Sequence, residues 1–208
     1  MPSREHYEAL WRALPEGLEP ERFALRRAFL LARVNAGERV LDLGCGDGRF
    51  AAELAHAGAH VLGVDVAEEA LRRARARHPR LELALLPADG PWPLRDASFD
   101  VVWAGEVIEH VADTAAWMSE LRRVLRSGGR LLLSTPDNAP LSLLRAALWP
   151  RAFAARFDPL GEHLRFYSAR TLRALLSELG FEEIALRRAG GVPGARALLL
   201  AQARRTRF

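Results

Sequence analysis

The chain has 208 residues, half of them apolar, which suffices for one substantial core and calls for no second domain. All 30 basic residues are arginine, yet the net charge is only +4, so the basic character is not the footprint of a nucleic-acid binder. A single cysteine, Cys45, excludes an internal disulfide framework, and no apolar run reaches the length of a signal-peptide core or a membrane span, so a cytoplasmic setting is expected.

Ahead of Gly37, Leu25, Ala28, Phe29 and Ala32 fall on one helical face, which predicts a helix leaning on the core within an N-terminal helical cap over about residues 1–36. Short, almost continuously apolar runs follow at 39–43, 60–65, 81–86, 99–104 and 130–135, the pattern of strands buried on both faces. Between them, Leu54 and Ala55, then Ala70, Leu71 and Ala74, then Trp117, Leu121, Val124 and Leu125 mark helices, the third with Asp113 placed to cap it. Strands alternating with helices imply right-handed crossovers and a parallel sheet.

After the fifth strand comes an insertion, about 137–167, longer than ordinary connections in such folds. It carries Leu141, Leu143, Leu144, Leu148, Trp149, Phe153 and Phe157 among arginines, which predicts one or two amphipathic helices. These either pack on the sheet or form a lid on an apolar acceptor pocket, with residues 139–160 suited to a membrane surface if the acceptor is a lipid. Ser168 then caps a helix bearing Leu172, Leu175, Leu176 and Leu179, stopped by Gly180. Strands near 181–188 and 195–203 follow, joined by the turn-rich "AGGVPGA", which suits a hairpin and an antiparallel final strand.

The chemistry concentrates in "VLDLGCGDGRF", residues 40–50, where three glycines follow the first strand and open the first helix. Glycines at such a turn let a ligand approach helix-start N–H groups at the carboxyl edge of a parallel sheet. The spacing is Gly-x-Gly-x-Gly, not the Gly-x-Gly-x-x-Gly of dinucleotide binders, and Asp42 sits inside the preceding strand. A carboxylate there disfavours a pyrophosphate and suits a cofactor bearing an ammonium and a sulfonium. Asp65, ending the second strand, can accept both hydroxyls of a ribose, and Asp89, past the third, can hold an adenine amino group.

Four ordered segments, "VLDLGCGDGRF", "GVDVAEEAL", "PADGPWPLRDASFDVVWAGEVIEHV" and "LRRVLRSGGRLLLSTPDN", resemble the class I S-adenosylmethionine-dependent methyltransferases, in their small-molecule and quinone-type branch. The carboxyl segment "GEHLRFYSARTLRALLSELGFEEI" is similar to the same branch. The resemblance implies an α/β, Rossmann-like fold: a seven-stranded, mostly parallel sheet with helices on both faces and an antiparallel last strand beside the fifth. It implies S-adenosylmethionine as cofactor, with Asp42, Gly44, Cys45 and Gly46 around its methionine portion, Asp65 and Val66 at the ribose, Ala88 and Asp89 at the adenine, and Gly105 and Glu106 near the methionine end. Cys45 reads as a small turn residue and not as a nucleophile.

A sulfonium already activates its methyl group, so a base is needed only for a hydroxyl acceptor, and His110 and His163 are the candidates, with Glu109 beside them. Glu106, Glu109 and His110 stand at i, i+3 and i+4, and with His163 they resemble the Glu-x-x-Glu-His clusters that hold a divalent metal in some quinone and RNA 3′-end methyltransferases. The preferred reading is free of metal. The expected function is methyl transfer to a small, partly apolar acceptor, at oxygen. The alternatives are a metal-dependent RNA 3′-end methyltransferase, a nicotinamide-dependent oxidoreductase and a non-catalytic binding protein; a nucleic-acid partner is not expected.

Overall fold

A computed structural model describes residues 4–87, 90–158, 161–191 and 197–207. The strands are β1 (Arg39–Leu43), β2 (His60–Asp65), β3 (Glu82–Leu85), β4 (Phe99–Gly105), β5 (Leu125–Pro136), β6 (Phe181–Ala189) and β7 (Leu198–Arg205). They form one sheet in the order β3-β2-β1-β4-β5-β7-β6. β3, β2, β1, β4 and β5 pair in parallel, and β7 enters antiparallel between β5 and β6. The expected fold class is therefore the one observed, including the antiparallel last strand beside the fifth.

Helices α1 (Arg4–Ala13), α2 (Phe23–Leu31), α3 (Arg49–His56), α4 (Glu68–Arg77), α5 (Thr114–Val124), α6 (Pro140–Ala147), α7 (Pro150–Arg156) and α8 (Ala169–Glu178) surround the sheet. Successive strand residues point to opposite faces, so each strand feeds two cores. Leu41, Val102, Ala104, Leu131 and Leu133 meet Met118 and Leu121 of α5 and Leu172 and Leu176 of α8. Val40, Val101, Trp103 and Leu132 meet Phe29 and Leu30 of α2 and Phe50 and Leu54 of α3. This two-sided demand is why the middle of each central strand is largely apolar, as in Val101–Ala104 of β4 and Leu131–Leu133 of β5.

Three sequence expectations shift. β3 covers only 82–85 and is half-buried, because it is an edge strand with a single neighbour. β5 begins at Leu125 with a register irregularity opposite Phe99 to Val101, where Gly128 and Gly129 carry the chain round before Arg130. In α2 the buried face is Arg26, Phe29 and Leu30, while Ala28 and Ala32 are exposed, so an arginine occupies a position that a hydrophobic pattern misses.

The predicted caps are in place. Asp113 accepts the Ala116 N–H at 2.9 Å. Ser168 forms a reciprocal box, its hydroxyl taking the Thr171 N–H at 3.3 Å and its own N–H donating to Thr171 Oγ1 at 2.9 Å. Ser168→Ala removes half of that box and is expected to cost about 1 kcal/mol. In thermal unfolding this corresponds to a fall in Tm of roughly 2–4 °C; an unchanged Tm would show that the box adds nothing.

Candidate active site

Past β1 the chain turns through Gly44, Gly46 and Gly48 at φ of +73°, +56° and +81° into α3. Each absent Cβ makes room for the protein's own side chains. A Cβ at Gly44 would lie 2.6 Å from Val107 Cγ2, and one at Gly46 2.9 Å from the Trp11 ring. At Gly48 it would meet Leu81 and Ala74 at 3.1 and 3.2 Å. Clearance expected for a ligand is thus largely taken up by close internal packing.

Asp65 fixes this turn. Its Oδ2 accepts the Gly46 N–H at 2.9 Å and its Oδ1 the Ala67 N–H at 3.0 Å. Burial raises its pKa, opposed by those amides. The Val66 amide also lies on this carboxylate, whose remaining lone-pair capacity faces a ligand hydroxyl.

A cavity of about 950 Å3 opens over these turns. Of the residues expected in the site, Gly44, Cys45, Gly46, Asp65, Val66, Gly105, Glu106, His110 and His163 all line it. Asp42 does not. It is 1% exposed, its carboxyl takes the Ala51 N–H in α3, its Oδ2 has no partner, and burial first and Asp65 second push its pKa up to about 7. Its visible part is to support the start of α3 from behind the wall. Ala88 and Asp89 lie outside the described residues. The Cys45 thiol is buried and its pKa is pushed well up by that burial, the state of an inert side chain.

At the other end of the cavity, Glu106 stands at φ +59°, and only Ile108–His110 form the 3-10 turn that follows β4. Glu106 stays outside the cluster formed by Glu109 and the histidines and accepts from Ser134 Oγ at 2.7 Å. Glu109, His110 and His163 do come together, with possible ligand atoms within 4.8 Å of one another. The His110 and His163 rings meet edge to face at 4.9 Å between centroids. Glu109 is buried, accepts from Thr135 Oγ1 at 3.0 Å, and has its pKa pushed up to about 8 by burial first and Glu106 second. Its carbonyl takes the Leu164 and Arg165 amides at 2.8 and 3.0 Å, which ties residues 161–167 to this turn. His110 Nδ1 meets the Glu162 carbonyl at 3.0 Å, and burial followed by His163 lowers its pKa.

A profile described as a methyltransferase domain matches residues 14–186. The chain belongs to the methyltransferase family. It is 39% identical over 181 residues to a probable S-adenosylmethionine-dependent methyltransferase of Mycolicibacterium smegmatis, covering 82% of this chain and 63% of that protein. It is 34% identical over 133 residues to a ubiquinone biosynthesis O-methyltransferase of Albidiferax ferrireducens, covering 62% of this chain and 52% of that one. The chain thus spans about half to somewhat under two thirds of the length of these curated relatives. In fold, the chain is similar to an S-adenosylmethionine-dependent methyltransferase of Methanosarcina mazei, with TM-score 0.67, 20% identity, and 86% and 97% of the two chains covered.

Two parts of the candidate site escape a motif reading. Tyr7, Leu10, Trp11 and Leu14 recur at i, i+3, i+4 and i+7 and all line the cavity; that helical period was the available signal. Arg26 also lines it, 3% exposed, with its guanidinium 5.0 Å from the Phe50 ring centroid and its Nε without a partner. Its place three and four residues before Phe29 and Leu30 was the clue. A buried cation with an unmatched N–H suits a ligand carboxylate, and Asp65 suits a ligand diol, so the wall fits S-adenosylmethionine.

The Asp42 carboxyl yields a stability prediction. Its folded pKa, about 7 against an ordinary 3.8, stands above the unfolded value, so its contribution is fully present at low pH and is lost as pH rises through about 7. Asp42→Asn, which keeps an acceptor for Ala51, is expected to flatten the fall in Tm between about pH 4 and 7 relative to the parent chain. Equal slopes in the two proteins would refute the desolvated carboxyl.

Proposed function

We propose that this chain transfers the methyl group of S-adenosylmethionine to a hydroxyl oxygen of a small, partly apolar acceptor, with His110 as the base. The observation that carries the reading is the 3.0 Å contact between His110 Nδ1 and the Glu162 carbonyl. A carbonyl only accepts, so Nδ1 holds the proton and the free lone pair lies on Nε2. Burial keeps the ring neutral at pH 7, ready to take the acceptor's proton at Nε2. When bound, the cofactor supplies a methyl group already activated by a sulfonium; the protein has to align, dehydrate and deprotonate.

Asp65 would accept the ribose hydroxyls, with Val66 beside it, and Arg26 would hold the methionine carboxylate over Gly44, Cys45 and Gly46. Gly105 and Glu106 border the methionine end. Trp92, Val107, Val111, Trp117 and Pro136 add apolar wall, which supports a partly apolar acceptor. The ubiquinone O-methyltransferase relative supports oxygen as the atom methylated. Among the described residues of the insertion, none from 139 to 158 lines the cavity, whereas Leu144, Leu148, Trp149, Phe153, Phe157 and Phe166 stand exposed. That exposed face supports a lid that closes with acceptor, or contact with a membrane surface carrying it; no helix among the described residues is long and apolar enough to cross a membrane.

Profiling with methyl-labelled S-adenosylmethionine against a metabolite extract identifies the acceptor, and an O-methyl product is expected. Asp65→Ala is expected to weaken cofactor binding by about 1.5–3 kcal/mol in calorimetry, as for lost charged hydrogen bonds. His110→Ala is expected to lower kcat about 100-fold or more with cofactor affinity kept. In the parent protein, activity should fall with decreasing pH only below the ordinary histidine value of 6.5, because the base works neutral and its pKa is lowered. Unchanged turnover in both His110→Ala and His163→Ala removes this assignment. The cluster of Glu109, His110 and His163 gives a second reading, a divalent ion that grips the acceptor. Activity lost in EDTA and restored by a divalent metal would put that reading in place of the metal-free one.

A further inference from the structure

We propose that helix α1 is a gate on the cofactor cavity, latched by Glu8 at the start of α4 and sealed by Trp11 on the glycine turn, so that S-adenosylhomocysteine leaves only when this helix lifts. The inference rests on the cofactor part of the preceding reading and is independent of the acceptor.

The latch is a cap supplied from outside. Ala67, at the N-cap of α4, has no side chain able to accept, and the first amides of the helix would be left without partners. Asp65 takes the N–H of Ala67 itself, and Glu8 takes the next two, Glu68 N–H at 2.5 Å and Glu69 N–H at 3.1 Å. One carboxylate of α1 thus completes a helix start whose other half is the carboxylate suited to the ribose. Arg4 adds a contact to Glu68 at 3.1 Å, and Arg73 and Arg49 hold the following segment by the Leu14 and Gly17 carbonyls at 2.9 and 2.6 Å. At the far end, His6 Nε2 lies 3.3 Å from Glu162 Oε1, the residue whose carbonyl orients His110. The neighbouring Tyr7 ring meets His110 edge-on at 6.4 Å between centroids. One helix therefore touches both ends of the cavity.

What makes α1 a gate instead of a fixed wall is the destination of its apolar row. Tyr7, Leu10, Trp11 and Leu14 belong to neither hydrophobic core and line the cavity instead, and no residue of α1 is fully buried. The helix is held by polar contacts at its rim and by Trp11, which lies against Gly46 and under the Arg73 guanidinium, while the rest of its apolar row lines the cavity. Docking and occupancy then favour each other, since a ligand that touches the docked helix shifts the equilibrium towards it. The family profile begins at residue 14, just after α1.

Two measurements on the full chain test this, both with S-adenosylhomocysteine alone. Hydrogen exchange of the amides of residues 8–13 is expected to slow when S-adenosylhomocysteine binds. Glu8→Ala, which removes two charge-assisted bonds, is expected to speed its release about tenfold in a chase experiment, with Glu8→Gln in between. Trp11→Ala should also speed release, by a separate contact. Exchange at 8–13 indifferent to the ligand overturns the gate even if a variant folds poorly. So does an unchanged release rate in Glu8→Ala when exchange shows α1 freed, or a loss of Tm in that variant without any change in release. A parent chain that fails to bind S-adenosylhomocysteine at all would fault the cofactor reading, a result distinct from each of these.

Discussion

The Asp65 carboxylate is the constraint on which the site depends, because it holds two crossover turns at once. β1 and β2 run parallel with Leu43 opposite Val64, and the Gly44 and Cys45 amides both reach back to the Val64 carbonyl at 2.8 and 2.9 Å. Asp65 then closes the arrangement by taking one amide from the glycine turn and one from the start of α4. Two loops that end neighbouring strands are thereby fixed relative to each other to within a hydrogen bond, and the cavity floor inherits that precision. The cost is a buried carboxylate, tolerated because amides satisfy it and a ligand diol can satisfy it further.

The His110 end of the cavity uses the same economy with backbone atoms. Residues 161–167 cross the 3-10 turn after β4, donating two amides to the Glu109 carbonyl and receiving the His110 ring on the Glu162 carbonyl. A side chain whose tautomer is set by a main-chain carbonyl needs no second acid to orient it. Tyr7, with its pKa pushed up to about 12 by burial first and by Glu162, Asp65 and Glu109 after it, remains a protonated phenol beside this pair. The wall there combines a proton acceptor in His110 with a donor in Tyr7, a pairing suited to a hydroxyl group.

Much of this was legible in the residues. β1 and β2 match their predicted limits because their short apolar runs fix where they start and stop, even with Asp42 inside β1, and Asp113 and Ser168 cap where their side-chain chemistry says they should. What escaped were residues whose type argues against their location. Arg26 reads as solvent-facing among arginines but is buried on the cavity wall, and Asp42 reads as ligand-facing but points behind it, since alternation along β1 decides its direction. Glu106 left the expected helical face because its own backbone takes a left-handed turn before the 3-10 helix begins. Pairing along the chain predicts neighbours; it does not predict which of two faces a single polar residue serves.

The place of β7 has a consequence for assembly. β6 pairs with β7 alone, and β7 lies between it and β5, so β6 has no seat in the sheet until the strand that follows it has arrived. β7 can reach the β5 edge alone or already paired with β6, and in either order β6 waits for it. Docking of β7 closes the edge offered by β5. Residues up to β5 can collapse around β1 and β4 before this, leaving the β5 edge open in the meantime. That edge carries Leu131, Leu132 and Leu133, so in a crowded solution the interval before docking is when this chain is most exposed to pairing with another copy of itself.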